Sequence, residues 1–523
     1  MFCLKLLTFR GGFGIIYSVK ICYIAKENFM KTVTKLLCLA LACVMLLACF
    51  ASCGNSEETT LPKANGSDND EGGRNAVKDT VPTDLDFKGE TMTFFVRDDN
   101  DLVNNEMDVE KTTNNTLFDA VYYRNTTVED RLGIEIKQVA QACPYTNVEP
   151  WNSTLRNAVL TKSGDYDSAA IYGSQSSPLA VEGLYYNVLD LPYINLDQPW
   201  WNQTIREELT LFDTLYFLAG DICVSEIAQG LCFFYNKDMF NEFFGAQGID
   251  IYQVVEDQKW TIDYMCDIVS NVWVDENNDG VISDGDVVGL VGGANMSGSG
   301  YMDCWVPAMG IRLTTMVDGY PELTFYNEHT VEAYEKVQRL YINNPGTLRA
   351  DGVSKTSFLN GNQMFTMNIF NSGEGYRNMQ DDYGVLPIPK FDEEQDDYRT
   401  AFHNSASLIV VLSTCQETEK VGATLELMAA ESYKQVTPAY FEICLQGKYS
   451  DAPEDAEMYD RIINSFVYTF GFCYSTKSLS GIGSLFRDID ADLAQRYEQN
   501  KIKYQASLEE LIDKLDEVSF MVG

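Results

Sequence analysis

The chain has 523 residues, of which 77 are acidic and 38 are basic, so its formal net charge at pH 7 is −39. This charge argues against nucleic acid or an anionic membrane surface as the main partner, because both would repel the chain. The hydrophobic content of 45% excludes wholesale disorder, and the presence of only 2 histidines argues against a histidine-rich metal site. At roughly 150 residues per domain, the length predicts about two to four domains.

The N-terminal region has the pattern of an export signal. Residues 36–51 form an uninterrupted apolar run, which is too short for a comfortable membrane span. Lys31 and Lys35 precede the run, so a basic segment is followed by an apolar one, as in secretory signals. The run ends in small residues directly before Cys53, and this arrangement resembles the lipobox of bacterial lipoproteins, in which that cysteine is lipidated.

Several boundaries follow from this signal. We predict a start-site artefact over residues 1–29, a lipoprotein signal peptide over residues 30–52, and lipidation of Cys53. Residues 53–86 contain almost no large apolar side chains, which predicts a flexible tether between the lipid and a folded body. The protein would then be anchored by its lipid on the extracellular face of the cytoplasmic membrane. The alternative is an ordinary signal peptide followed by a chance cysteine.

The body of the chain begins with alternating strand and helix signals. Residues 90–96 predict a strand, residues 117–132 have apolar side chains at helical spacing, and residues 166–172 form a short apolar strand. This alternation predicts an α/β fold with helices on both faces of a sheet. Ligands bind at the carboxyl ends of strands in such sheets, and we therefore predict ligand contacts for three residues at these ends. These residues are Asp98, Tyr172 and Ser174.

Four later segments share a resemblance to one family. Residues 230–240 contain the sequence Tyr-Asn-Lys-Asp-Met-Phe, residues 259–263 contain Trp-Thr-Ile-Asp, residues 383–390 contain Gly-Val-Leu-Pro-Ile-Pro, and residues 436–440 read Val-Thr-Pro-Ala-Tyr. Their sequences and order resemble those of extracellular solute-binding proteins of ABC importers, especially the large carbohydrate-binding family. The matches extend over nearly all of the mature chain.

The resemblance implies a fold, a function and partners. The fold would be α/β, a two-lobed type II periplasmic-binding-protein fold whose lobes are joined by crossing hinge strands. The chain would be a monomeric binding component that captures an extracellular solute, an oligosaccharide, by lobe closure and delivers it to ABC permease subunits. The implied boundaries are residues 87–225 for the first part of lobe 1, 226–397 for the first part of lobe 2, 398–440 for the return to lobe 1, and 441–523 for a C-terminal helical part that belongs mainly to lobe 2.

Two further patterns agree with this outline. Residues 215–219 and 408–412 are strand-like apolar runs close to the implied crossings. Residues 485–518 place apolar side chains at helical spacing, which predicts a helical packing face in preference to a partner-binding face.

The sharpest local motif is an acidic loop over residues 275–286. A twelve-residue calcium loop offers oxygen ligands at alternate positions around a glycine at position 6, which Gly280 occupies here. We predict a structural Ca²⁺ site, with the alternative of an acidic surface turn that holds no metal. Its ligands would be Asp275, Asn277, Asp279, Val281 through its carbonyl, and Asp286.

Sugar ligands require aromatic faces and polar side chains together. Trp200, Trp201 and Trp305 stand in polar or glycine-rich contexts and are predicted to contact ligand, with ordinary lobe packing as the alternative for each tryptophan. Glu226 and Gln229 precede the Tyr-Asn-Lys-Asp segment near the expected hinge. Asn371 follows an apolar strand. We predict that these three polar side chains also face the cleft.

Two other classes of function stay open at this point. One is a surface-anchored polysaccharide-binding or adhesion protein without a permease partner. The other is a secreted glycoside hydrolase, but the sequence contains no GxSxG, HExxH, P-loop or GxGxxG context, and the closeness of His403 to Ser405 in sequence does not make a triad. We therefore predict a binding protein and not an enzyme. The eight cysteines after Cys53 are scattered, so they could be buried thiols or disulfides.

Overall fold

The computed structural model describes residues 73–175, 177–292, 300–350, 355–445, 453–474 and 479–522, all of which belong to one compact unit that starts at Asn69. The predicted signal peptide, Cys53 and the first part of the predicted tether lie outside the described residues. Helices and strands are numbered below in chain order within the described part of the chain.

The strands form two larger sheets and one hairpin. They are β1 (Glu90–Arg97), β2 (Ile134–Gln141), β3 (Ser168–Tyr172), β4 (Leu231–Asn236), β5 (Trp273–Val274), β6 (Val287–Gly292), β7 (Thr314–Val317), β8 (Tyr320–Leu323), β9 (Thr347–Arg349), β10 (Gln363–Ile369), β11 (Tyr383–Leu386) and β12 (Ser407–Val411).

Helices pack against both of the larger sheets. The helices are α1 (Asp101–Asn104), α2 (Thr116–Leu132), α3 (Glu149–Thr161), α4 (Ser177–Ala180), α5 (Ile205–Leu209), α6 (Val224–Ala228), α7 (Lys237–Phe244), α8 (Ile251–Glu256), α9 (Ile262–Ser270), α10 (Trp305–Ala308), α11 (Glu328–Tyr341), α12 (Gly373–Tyr376), α13 (Thr418–Glu431), α14 (Thr437–Leu445), α15 (Pro453–Asn464), α16 (Phe470–Cys473), α17 (Ser480–Gly483) and α18 (Leu493–Val522).

Lobe 1 is built around a four-stranded sheet in the order β12-β3-β1-β2. β1 pairs in parallel with β2 and β3, and β12 is antiparallel to β3. β3 is buried along its whole length, as expected for a central strand covered on both faces, and β12, at the edge of this sheet, is buried as well. Helix α2 packs against α13 in this lobe. It begins after Asn115, whose side chain accepts two backbone N–H groups, and it ends at Gly133 with a φ of 63°.

Lobe 2 is built around a second sheet with the strand order β11-β4-β10-β6-β5, and β9 also pairs with β6. β4 has the sequence Leu-Cys-Phe-Phe-Tyr-Asn and is buried throughout, with antiparallel neighbours on both sides. β10 and β6 run parallel. Aromatic side chains of β4 therefore fill the centre of lobe 2.

The chain passes between the lobes at a place where three segments meet. Gly230 bridges to Phe402, and Thr400 bridges to Phe466, so the segment that leaves lobe 1, the segment that returns, and a third segment after α15 lie side by side. Within the predicted run 215–219, Leu218 bridges to Ile409 of β12, while the run 408–412 lies mostly within β12. Two α/β lobes joined by crossing segments confirm the predicted fold class. The predicted lobe boundaries stay predictions.

The predicted tether ends earlier in the chain than the sequence predicts, because its last residues, from Gly73 to residue 86, contact the folded body. Arg131 of α2 donates two hydrogen bonds to the carboxylate of Asp79, at 2.7 and 2.8 Å, and a third to the carbonyl of Val81, which is 4% exposed. Arg74 lies over the ring of Tyr433 and pairs with Asp460. The stretch from Gly73 to residue 86 is therefore held on the folded body by ion pairs and burial that its polar composition does not reveal.

The predicted C-terminal packing face is present in α18, which begins at Leu493, whereas residues 488–492 of the predicted range are not helical. In α18, the apolar side chains that recur at helical spacing are buried, among them Leu508, Leu511 and Leu515. Near the start of this helix, Tyr497 stacks on Tyr326 of lobe 2, with ring centroids 4.6 Å apart. Near its end, Val518 lies against Gly183 of lobe 1. A helix of 30 residues spans roughly 45 Å, so α18 contacts both lobes.

Within the ranges that the structure describes, no helix is both long and apolar enough to cross a membrane. In the same ranges, the side chains of His, Cys, Asp and Glu form no group of three that could hold a metal ion. Cys143, Cys223, Cys266 and Cys304 are buried thiols, and Cys415 is a partly buried one.

Candidate functional site

A cavity of about 170 Å³ lies between the lobes. Ser174, two residues after β3, and Tyr145 line it from lobe 1, while Asp303 and Pro307 line it from lobe 2. The crossing segments contribute Phe402, Asn404 and Thr469, and the chain after them contributes Phe472 and Arg487. The cavity thus lies at the carboxyl end of a parallel strand, where α/β folds bind ligands.

An ion pair forms the charged part of the cavity wall. The guanidinium of Arg487 donates hydrogen bonds from Nε, at 2.7 Å, and from Nη2 to the two carboxylate oxygens of Asp303. Burial raises the pKa of Asp303, while this hydrogen bond raises the pKa of Arg487. Among the residues that the structure describes, no partner is recorded for Nη1 of Arg487, which leaves this nitrogen able to donate to a ligand.

The neutral polar groups of the wall come from several segments. The hydroxyl of Ser174 is buried and has no hydrogen-bond partner in the described part of the chain. Since a buried hydroxyl without a partner costs free energy, a ligand oxygen at this position would stabilise the site. Asn404 comes from the returning segment, and Thr469 comes from the third crossing segment. Donors and acceptors from both lobes therefore face one space.

Aromatic rings provide the apolar part of the wall. Tyr145 is 42% exposed and lies perpendicular to Tyr172, with ring centroids 5.4 Å apart. Phe402 stacks on Tyr468 at 4.6 Å, which fixes the orientation of its ring. Phe325 and Phe472 also line the cavity. Flat apolar rings beside polar donors are the combination that sugar rings require.

A buried charge network supports the strand ends next to the cavity. Arg97, at the end of β1, donates to Asp99 at 2.8 Å and to the hydroxyl of Ser407 at 2.7 Å, and its guanidinium lies 3.7 Å from the ring centroid of Tyr172. Ser407 in turn donates to Glu106, whose pKa is raised by burial. The network ties β1, β3 and β12 together beneath the cavity and holds Tyr172 in place.

Of the nine side chains predicted to contact ligand, Ser174 lines the interlobe cavity. Tyr172 is 7% exposed and donates a hydrogen bond from its hydroxyl to the carbonyl of Cys143. It therefore lies behind the side chains that line the cavity. Asp98 and Asn371 are exposed, but neither lines the cavity. Gln229 is buried at the hinge, where its carbonyl accepts the N–H of His403. Ligand contact by these residues stays a prediction.

The structure places the predicted tryptophans in the packing of the lobes. Trp200 and Trp201 are 0% and 1% exposed, and their indole N–H groups donate to the two carboxylate oxygens of Glu426 in α13. Burial raises the pKa of Glu426 to about 7. Trp305 is fully buried between Phe233 and Tyr341. The packing alternative therefore accounts for the burial of all three rings.

Glu226 faces a second, smaller cavity of about 100 Å³ near the hinge, together with Trp201 and Asp221. The backbone N–H of Gly220 donates to Glu226 at 2.6 Å. Burial raises the pKa of Glu226 to about 8 and that of Asp221 to about 6. Burial therefore favours the protonated, uncharged form of Glu226 in this part of the hinge.

The acidic loop has an ordered set of internal hydrogen bonds. The carboxylate of Asp275 accepts the N–H groups of Asp279 and Gly280, and that of Asp286 accepts the N–H groups of Glu276 and Ser283. Asp286 is 1% exposed and also accepts the indole N–H of the neighbouring Trp273. Helix α9 precedes the loop, and strand β6 follows it directly.

His403 and Ser405 are also close in space, with Nδ1 and Oγ 3.2 Å apart. The imidazole of His403 packs edge-on against the ring of Tyr301. Burial and the nearby charge of Arg487 lower the pKa of His403, so the ring is neutral at pH 7. The pair lies next to Asn404 in the returning segment.

Most of the cavity wall carries no local sequence signal, although some of its residues stand close to predicted or discussed positions. Asp303 stands two positions before the predicted Trp305, and Asn404 directly follows His403. Tyr145 and Arg487 carry no motif at all. Arg487 reaches the cavity across a separation of 184 residues from its partner Asp303, which no local pattern can indicate.

No protein-family model and no curated protein matches the chain. Several solved structures are similar to the chain in fold. A cyclo/maltodextrin-binding protein complexed with maltotetraose is 12% identical, with a TM-score of 0.49 over 82% of this chain and 97% of the other. The galacto-N-biose/lacto-N-biose I-binding protein of an ABC transporter from Bifidobacterium longum is 11% identical, with a TM-score of 0.49 over 82% and 98%. UspC of M. tuberculosis is 14% identical, with a TM-score of 0.49 over 80% and 100%. Likeness at these values does not determine what this chain binds.

Proposed function

We propose that the chain is the solute-binding component of an ABC importer and that it captures an oligosaccharide between its two lobes. The observation that carries the proposal is the interlobe cavity, in which Ser174 and Tyr145 of lobe 1 face Asp303 of lobe 2. A ligand that contacts both lobes favours the closed form over the open one, because its full set of contacts exists only when the lobes are together. ABC permease subunits would then receive the solute from the closed form.

The lining explains why the proposed solute is a sugar. Sugar hydroxyls accept from the guanidinium of Arg487 and donate to carboxylate or amide oxygens such as those of Asp303 and Asn404. The apolar face of a sugar ring packs on an exposed aromatic ring such as Tyr145. The cavity is smaller than the roughly 300 Å³ at the lower end of ordinary ligand pockets, so an oligosaccharide requires the lobes to open.

The proposed role is binding without chemistry. Incubation of the purified protein with labelled oligosaccharides tests this, with retention of label and chain length both measured. We expect saturable binding with every oligosaccharide recovered intact. If the wild-type protein hydrolyses the oligosaccharides, and if this activity persists when His403 is replaced but is lost when Asp303 is replaced, the protein is instead a glycoside hydrolase.

The same proposal includes anchoring by a lipid at Cys53 and delivery at the extracellular face of the cytoplasmic membrane. Two features support it, the apolar run followed by small residues and Cys53, and the polar stretch that separates Cys53 from the folded body. Metabolic labelling with a fatty acid tests the anchor: we expect label in the wild type and none in Cys53→Ser. Equal labelling of the two proteins would exclude lipidation at this residue.

We also propose that the loop over residues 275–286 binds a structural Ca²⁺. The glycine at position 6, where φ is 77°, supports the sharp turn of a calcium loop, and oxygen ligands stand at alternate positions around it. In the described structure the carboxylates of Asp275, Asp279 and Asp286 form no group that could hold a metal ion, so binding would require them to converge on the ion. The ion would be held by the carboxylates of Asp275, Asp279 and Asp286, by the amide oxygen of Asn277 and by the carbonyl of Val281. It would stiffen the connection between α9 and β6.

Calcium titration into chelator-treated protein is expected to release heat and to raise the melting temperature. At a free calcium concentration about 100-fold above Kd, the stabilisation is about 2.7 kcal/mol. Asp279→Asn should reduce both effects, because it removes a charge from the loop, while Asp318→Asn, in the exposed turn between β7 and β8, should leave them unchanged. The absence of heat and an unchanged melting temperature in the wild type would refute the site.

A further inference from the structure

The two lobes also touch beside the cavity, through two short hairpins. On lobe 1, Leu211 and Thr214 pair with each other around a two-residue turn. On lobe 2, β7 and β8 form the second hairpin, whose tip carries Tyr320. The rings of Phe212 and Tyr320 meet edge-to-face, with centroids 5.5 Å apart. This contact joins two elements that belong to different lobes.

The lobe 1 hairpin is unusual in its turn residues. Phe212 and Asp213 have φ values of 52° and 56°, in the left-handed region that such turns require and that glycine or asparagine normally occupies. A phenylalanine there is strained, so the surrounding structure must hold it. The side chain of Asn187 does so from within lobe 1, since it donates to the carbonyl of Asp213 and accepts the N–H of Leu215. The strained turn thus presents Phe212 to lobe 2.

Ion pairs reinforce the contact. Nη2 of Arg312 lies 3.0 Å from a carboxylate oxygen of Glu207 and 3.1 Å from one of Glu208, both on α5 of lobe 1. Glu208 is only 13% exposed at its side chain, so its pair is partly shielded from solvent. Arg312 itself precedes β7 in lobe 2.

The contact is continuous with the cavity. Ile311 and Leu313, on either side of Arg312, line the cavity wall. In an extended segment, successive side chains point to opposite sides. The side chains of Ile311 and Leu313 can therefore face the cavity while the guanidinium of Arg312, between them, faces the two glutamates. A movement that opens the cavity at this segment therefore separates Arg312 from Glu207 and Glu208.

We propose that Glu207, Glu208 and Phe212 of lobe 1, with Arg312 and Tyr320 of lobe 2, form a latch that sets the balance between open and closed forms before any solute binds. The latch requires the opening and closing on which the proposed function rests, but it does not depend on the class of solute. Its contacts exist in the closed arrangement alone. Their strength therefore decides how much of the ligand-free protein is already closed.

A latch of this kind changes solute affinity without touching solute. If the binding-competent closed form becomes rarer, the apparent Kd rises in proportion. Two solvent-accessible ion pairs and one aromatic contact together are expected to change the ratio of closed to open forms by roughly three- to thirtyfold. The ionic part should weaken in 1 M NaCl, where the screening length is about 3 Å, while the aromatic part should persist.

Small-angle X-ray scattering of the ligand-free protein tests the latch. The sample is the complete exported chain with Cys53→Ser, so that no lipid is attached, measured in 0.05 M and 1 M NaCl. We expect Arg312→Ala to increase the radius of gyration at low salt, and 1 M NaCl to bring the wild type toward the value of that variant. The matched control is Arg156→Ala, which removes an arginine that also pairs with two glutamates, Glu149 and Glu182, within lobe 1.

Phe212→Gly gives a second readout. Glycine adopts positive φ without strain, so this variant should keep or raise the melting temperature of the wild type while it increases the radius of gyration. If Phe212 served only the stability of lobe 1, its replacement would not increase the radius of gyration while the melting temperature stayed the same or rose. An unchanged radius in both Arg312→Ala and Phe212→Gly, or an equal increase in Arg156→Ala, would overturn the latch whether or not the protein binds sugars.

Discussion

Replacement of Arg487 by alanine is expected to weaken oligosaccharide binding by roughly 10- to 100-fold, because hydrogen bonds from a charged donor contribute about 1.5–3 kcal/mol each. The variant removes the guanidinium that faces the cavity and leaves Asp303 without its bidentate partner. Isothermal titration calorimetry with an oligosaccharide that binds the wild type measures the change in Kd.

The matched control for this prediction is Arg349→Ala. Arg349 also makes a bidentate pair, with Asp490 at 2.7 and 2.9 Å, but neither residue lines the cavity. We expect this control to bind within about twofold of the wild type, as is usual for a surface pair. An equal loss of affinity in both variants would show that the effect comes from general destabilisation, and unchanged affinity in Arg487→Ala would remove this residue from the site.

Stability is expected to fall as the pH rises from 5 to 8, and Glu226 is expected to account for a large part of the fall. Burial raises the pKa of Glu226 to about 8, whereas the unfolded chain releases this proton near pH 4.5. The stabilising contribution is therefore fully present below about pH 4.5 and is lost as the pH rises through about 8. A shift of this size corresponds to roughly 3–5 kcal/mol.

Urea denaturation at pH 5 and pH 8 measures this effect. Glu226→Gln keeps a neutral side chain whose oxygen can still accept the N–H of Gly220, so the free energy of unfolding should fall less between the two pH values than in the wild type. Glu426 titrates in both proteins, and its contribution cancels in the comparison, whereas Asp221 interacts with Glu226 and belongs to the effect that is measured. The exposed Glu419→Gln serves as control and should reproduce the wild-type dependence. Identical pH dependence in Glu226→Gln and the wild type would contradict a buried, protonated Glu226.

The parts of the fold that could be predicted from sequence are those encoded locally. The apolar spacing of α2 and α18 and the apolar runs of β3 and β12 each indicate their element within a single window of sequence. The carboxyl ends of the strands also pointed to Ser174, which lines the interlobe cavity, because strand direction and ligand position are linked in α/β sheets.

The parts that could not be predicted depend on distant partners. The polar context of Trp200 and Trp201 favoured exposure, but Glu426, more than 200 positions away, accepts both indole N–H groups and allows both rings to be buried. The polar composition before residue 86 favoured a tether, but Arg131 holds Asp79 on the body. Arg487 was missed for the same reason, since its role follows from Asp303 and not from its own neighbours.

The central claim is that the interlobe cavity captures an oligosaccharide, and a thermal-shift panel tests it most directly. Purified wild type and Arg487→Ala are each heated with oligosaccharides of differing linkage and length and, in parallel, with short peptides. A ligand that closes the lobes stabilises the folded form by mass action, by about 2.7 kcal/mol at 100 times its Kd. We predict that at least one oligosaccharide raises the melting temperature of the wild type but not of Arg487→Ala, and that no peptide does so. A flat response to every oligosaccharide, together with a shift from a peptide, would contradict the account.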